Sequence, residues 1–101
     1  MKCKITRNAA KVLQKELESE ENKELKLRVY VTHAHGDHAH YGLGLDTPGE
    51  DDVVVSTDKG IDVILKDGEK FLDGVIIDYL YTPEEGFVIT NPAFGSHEHD
   101  H

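Results

Sequence analysis

From residue 25 to residue 32, apolar and polar side chains alternate without a break. Leu25, Leu27, Val29 and Val31 fall on one side of an extended chain, and Lys26, Arg28, Tyr30 and Thr32 on the other. This period of two predicts a strand with one buried face. The rest of the chain supplies what such a strand packs against. Residues 2–6 alternate weakly and read as a short edge strand. Residues 7–21 read as an amphipathic helix, with Ala10, Leu13 and Leu17 on one face and Lys11, Lys15, Glu16, Glu18 and Glu20 on the wet sides. Thr6 or Asn8 can cap its start.

Further short strands follow. Tyr41-Gly-Leu-Gly-Leu45 alternates again, with glycines where the second face would be. Residues 53–57 and 61–65 read as strands joined by Asp58-Lys59-Gly60, where the final glycine accepts a left-handed backbone. Asp67-Gly68 turns the chain, residues 69–72 read as one short helical turn, and residues 75–80 and 87–90 as strands. From Asn91 onward little is apolar beyond Phe94, so the end reads as an extended or mobile tail. The expected fold class is mainly β with one capping helix, a small mixed-β domain over residues 1–95 followed by a tail at 96–101.

Composition narrows the function. At 101 residues the chain is one domain, able to bury roughly 65% of its unfolded surface. A formal net charge of −9 argues against nucleic acid, which needs a basic face. Cys3 is the sole cysteine, so no internal disulfide is expected. Met1-Lys2-Cys3-Lys4-Ile5 lacks the apolar run of a signal peptide, and no stretch approaches the roughly 20 apolar residues of a membrane span. A cytoplasmic location without membrane contact is the expectation.

The chemistry lies in the histidines. All seven occur in two clusters, His33, His35, His38 and His40, then His97, His99 and His101. Imidazole is the commonest protein ligand for borderline transition metals. The candidate metal ligands are His33, His35, His38, His97 and His99, with His40, His101 and Asp37 behind them. In an extended tail, His97, His99 and His101 share one side. Loop and tail brought together, within one chain or across a subunit interface, complete four ligands. Zn(II), Ni(II), Cu(II), Co(II) and Fe(II) suit imidazole with carboxylate. Ligation requires neutral imidazoles, so binding should weaken below about pH 6.5. The simpler readings are a solvated acidic tail that binds metal by composition alone, and an Asp37 that only shapes its turn.

Thr32-His33-x-His35-x-Asp37-His38, directly after a strand, is similar to the His-x-His-x-Asp-His signature of the metallo-β-lactamase superfamily. The resemblance implies a two-metal hydrolase. The context departs from it. That fold needs about twice this length, no histidine occurs between His40 and His97, and Ala39-His40-Tyr41 stands where a glycine pair is usual. A small metallo-hydrolase is therefore the weakest reading.

A second resemblance covers most of the chain. Asn8-Ala9-Ala10-Lys11-Val12-Leu13, Leu27-Arg28-Val29-x-Val31, Tyr41-Gly42-Leu43-x-Leu45, Phe71-Leu72-Asp73-Gly74-Val75-x-Ile77-Asp78-Tyr79 and Gly86-Phe87-x-Ile89-x-Asn91-Pro92 occur in that order. Together they resemble the HesB/IscA-type proteins, the A-type carriers of iron–sulfur cluster assembly. The resemblance implies a compact mixed-β fold, a homodimer or tetramer, and iron or a [2Fe-2S] cluster held by three cysteines. Aligned without gaps, those cysteines fall on Gly36, Glu98 and Asp100, and none is cysteine here. Histidines flank each position. The expected function is a non-enzymatic metal-binding protein related to these carriers, with histidines replacing thiolates and serving metal carriage, storage or sensing. No catalytic residue is expected. The alternative is cluster delivery to iron–sulfur assembly or acceptor proteins, with a partner supplying thiolates.

Overall fold

A computed structural model describes residues 1–94 of the chain. In order, the elements are β1 (Cys3–Ile5), α1 (Arg7–Leu17), a 3-10 turn (Glu20–Asn22), β2 (Lys26–His35), β3 (His38–Asp46), β4 (Asp52–Ser56), β5 (Asp62–Lys66), β6 (Val75–Leu80) and β7 (Gly86–Thr90). They form a three-stranded sheet, β1-β6-β7, and a four-stranded sheet, β3-β2-β5-β4. Two pairs are parallel, β1 with β6 and β2 with β5; the others are antiparallel. The fold is mainly β with one helix, as expected.

The helix is shorter than its charge pattern suggests, and burial explains why. Ala9, Ala10 and Leu13 are its buried residues. Beyond Leu17 the next helical positions are glutamates with nothing to bury. The amide of Glu18 closes the last turn on Gln14, and the Asn22 side chain donates to the Glu16 carbonyl at 2.8 Å, satisfying a group the helix end leaves over. At the start, Thr6 Oγ1 accepts from the Ala9 amide at 3.3 Å and donates to Asp78 Oδ1 at 2.7 Å, so the cap also pins the helix to β6.

The core lies between the helix and the inner faces of both sheets. Ile5, Leu13, Leu27, Val29, Val63, Leu65, Leu72, Val75 and Ile77 are among its buried members. Residues 69–72, expected as a helical turn, form successive turns in which the Leu72 amide reaches the Glu69 carbonyl. Among the described residues, no helix is long and apolar enough to cross a membrane.

The chain does not become a tail at Asn91. Asn91 is 2% exposed. Its amide nitrogen donates to the carbonyls of Phe71 (2.9 Å) and Asp73 (2.8 Å), and its Oδ1 accepts from the Ala93 amide at 3.0 Å. Phe94 packs edge-on against Phe71 with ring centroids 5.0 Å apart. A buried side-chain amide must find partners, and the Phe-Leu-Asp-Gly turn supplies them.

On the outer face, Arg28 clamps the β3–β4 connection. Its guanidinium donates to both carboxylate oxygens of Asp52 (3.1 and 2.6 Å) and to Asp46 (2.9 Å). Asp52 also accepts from the Gly49 amide at 2.6 Å. These bonds, the Arg28 contact first, hold the Asp52 carboxyl down at about 2, from an ordinary 3.8. A depressed carboxylate stabilises the fold above its unfolded value and loses that contribution as pH falls through the folded one. Asp52→Asn should therefore melt below wild type at pH 7, and the difference should close between about pH 4 and pH 2. Thermal melts across that range check this.

Candidate metal site

The segment carrying the first four histidines is a hairpin rather than a loop. β2 runs through His35, Gly36-Asp37 make a two-residue turn, and β3 starts at His38. Gly36 has φ +64°, and among the described residues no non-glycine residue has positive φ. A two-residue turn with positive φ only at its first position is the II′ type, which favours glycine there and matches strand twist.

The register contains one irregularity, and it decides where the histidines go. Leu27 pairs with Leu45, Val29 with Leu43 and Val31 with Tyr41, on the inner face. Beyond that, His33 pairs with His40, Ala34 with Ala39 and His35 with His38, with a register shift between Val31 and His33. A regular strand would have kept His33 and His35 on the side of Val31. The extra residue at Thr32 is a β-bulge, and it moves both across. All four histidines thus share the outer face with Arg28 and Tyr30, while Ala34 and Ala39 take the inner one. Tyr30 lies across Gly42, so close that a β-carbon there would collide with its ring. The glycines of the Tyr-Gly-Leu-Gly-Leu stretch make room for this ring.

Within the hairpin, His33 and His40 approach each other, with ring centroids 6.0 Å apart and planes tilted by 42°. His38 Nε2 lies 3.9 Å from Asp37 Oδ1, an ion pair only when the imidazole is protonated. His33, His35 and His40 are exposed and His38 is half-buried. Among the described residues, no three or more His, Cys, Asp or Glu side chains are grouped to hold a metal. His97, His99 and His101 lie outside the described residues.

The base of the hairpin is fastened where the described chain ends. Tyr41 donates its hydroxyl to the Phe71 carbonyl at 2.8 Å, the same oxygen that Asn91 bonds. Burial pushes the Tyr41 phenol up and keeps it a donor. One carbonyl therefore ties together β3 at Tyr41, next in sequence to His40, the Phe-Leu-Asp-Gly turn, and Asn91, three residues before Phe94. Asn91 escaped the sequence reading, because a polar residue after the last strand looks like the start of a tail.

Cys3 belongs to the three-stranded sheet and not to the sheet that carries the hairpin. It is in β1, paired with Val75, beside an open cleft lined by Lys2, Lys4, Ser56, Thr57 and Asp58. Burial pushes its thiol up to about 12, so almost none is thiolate at neutral pH.

No family model matches the chain. It is 34% identical over 98 residues to the iron–sulfur cluster insertion protein ErpA of Marinobacter nauticus, across 91% of this chain and 86% of that one. The chain belongs to the HesB/IscA-type family. Its fold agrees: a crystal structure of IscA with the [2Fe-2S] cluster superposes with a TM-score of 0.68 at 20% identity, covering 90% of this chain and 83% of that one. HesB/IscA-type proteins are carriers rather than enzymes, so the hydrolase signature at Thr32–His38 is a coincidence of letters. In this member of the family, Gly36 stands at the tip of the histidine hairpin, where the ungapped alignment puts the first family cysteine.

Proposed function

We propose that this HesB/IscA-type chain binds a borderline divalent ion, Zn(II), Ni(II), Cu(II), Co(II) or Fe(II), through histidines that replace the family's thiolates. The observation that carries this is the bulge at Thr32, which gathers His33, His35, His38 and His40 on one face around the first lost cysteine position. The donor set does not fit a thiolate-held cluster. Gly36, Glu98 and Asp100 have no sulfur, and the one thiol is protonated in another sheet. Imidazole and carboxylate suit a single borderline ion instead.

The tail at 96–101 is the second half of this site. Its covalent reach supports the proposal. The seven residues beyond Phe94 can span up to roughly 24 Å, and the hairpin extends only about 17 Å past Tyr41. His97, His99 and His101 join the four hairpin histidines as ligands, with Asp37 as a weaker one. The role is metal carriage in the cytoplasm, by a homodimer or tetramer serving iron–sulfur assembly or acceptor proteins. Calorimetric titration of protein purified without a metal column, using Zn(II), Ni(II) and Fe(II), tests it. The expected result is saturable binding with Kd below about 10 μM, or −7 kcal/mol; only weaker binding for every ion contradicts it.

The relative named as a cluster insertion protein favours a second reading. There the chain takes part in cluster delivery while a partner supplies the thiolates. A mixture with a thiol-bearing acceptor would then show cluster absorption that neither protein shows alone.

A further inference from the structure

We infer that the ion is first seized by one cross-strand pair, His33 and His40, which forms a two-imidazole chelate without the tail. This rests on the metal-binding reading above and names the seat within it. Two imidazoles sharing a tetrahedral ion at the usual metal–nitrogen distance put their ring centroids about 5 Å apart. His33 and His40 stand at 6.0 Å, about 1 Å from that arrangement, which side-chain torsions alone can close.

The backbone beneath them is already set. The pair sits in the ladder between Val31↔Tyr41 and Ala34↔Ala39, with Tyr41 bolted to the Phe71 carbonyl. Chelation therefore avoids the ordering cost of about 1–2 kcal/mol per residue that a free segment meets. The other cross-strand pair lies nearer the turn. His35 and His38 flank the turn directly, and Asp37 Oδ1 lies 3.9 Å from His38 Nε2.

The surroundings fix the class of ligand and its lability. Tyr30, lying over Gly42, forms the neighbouring row of the same face on one flank of the pair, and His35 and His38 form the row on the other. Among the described residues, no third His, Cys, Asp or Glu closes around the pair. The chelate thus takes a borderline divalent ion and leaves coordination positions open to water, a tail imidazole or an acceptor's ligand. Open positions characterise exchangeable rather than structural ions.

Competition for Zn(II) against a chromophoric chelator tests this in four full-length proteins: wild type, H33A/H40A, H35A/H38A and H97A/H99A/H101A. All substitutions are at exposed or half-buried positions or beyond the described core, and circular dichroism melts verify folding. The tail variant should keep one equivalent of zinc within roughly tenfold of wild-type affinity. H33A/H40A should lose on the order of 100-fold or more, and H35A/H38A less than tenfold. In wild-type NMR spectra, the first additions of Zn(II) should shift the His33 and His40 ring signals together. Wild-type affinity in H33A/H40A, or equal losses in both hairpin variants, overturns the pair while leaving metal binding intact. Absence of zinc binding in wild type overturns metal binding itself.

Discussion

Replacing Ile77 with alanine is expected to destabilise the fold by about 2–5 kcal/mol, toward the upper end of that range. Ile77 is fully buried in the middle strand of the three-stranded sheet. Its neighbours in register are Ile5 on β1 and Ile89 on β7. Its carbonyl accepts from the Thr6 amide at 3.0 Å, at the point where the chain enters α1. Above it the helix presents Ala9, Ala10 and Leu13. The alanines are too short to fill the space a lost side chain leaves, and backbone pairing on both sides prevents collapse. The melting temperature should fall by roughly 10–30 °C. Urea unfolding should show a lower midpoint at unchanged slope. Val88→Ala, on the same sheet but exposed, should stay within about 0.5 kcal/mol of wild type.

The strands were legible because their alternation matches what each sheet buries. Leu27 and Val29 are inward, as the pattern at residues 25–32 requires. The capping helix was legible in existence, with Thr6 one of two candidate caps, but not in length, because charged residues continue a helical pattern without supplying a face to bury. The bulge at Thr32 was not legible. Val31, His33 and His35 keep one parity, and nothing in that run marks a shift. The shift follows from two constraints acting at a distance: Tyr41 must lie opposite Val31, and a two-residue turn must sit at Gly36-Asp37. Four residues of β2, 32–35, then face three of β3, 38–40. Asn91 was illegible for a similar reason, since its partners are backbone atoms about 20 residues earlier. The clustering of the histidines was plain in the chain; that the first four share one face of a hairpin was not.

Supplying thiols at the three positions where the ungapped alignment puts the family cysteines should give the chain a thiolate-held cluster. The combined substitution G36C/E98C/D100C is expected to acquire visible iron–sulfur absorption after anaerobic incubation with iron and sulfide. Thiolates are soft, strongly donating ligands for such clusters. The added side chain at position 36 enters open space. Its backbone at φ +64° costs a cysteine on the order of 1–3 kcal/mol. The glycine that closes the II′ hairpin, and so aligns His33 with His40, stands where the ungapped alignment puts the first family cysteine. Wild type has imidazoles at that tip and a protonated Cys3 in the other sheet. The most direct measurement is the visible spectrum of the wild-type protein alone, after anaerobic incubation with iron and sulfide and removal of small molecules. Replacement of thiolate by imidazole predicts no charge-transfer bands from a protein that still takes up Zn(II). Stoichiometric bands that remain with the wild-type protein would contradict it.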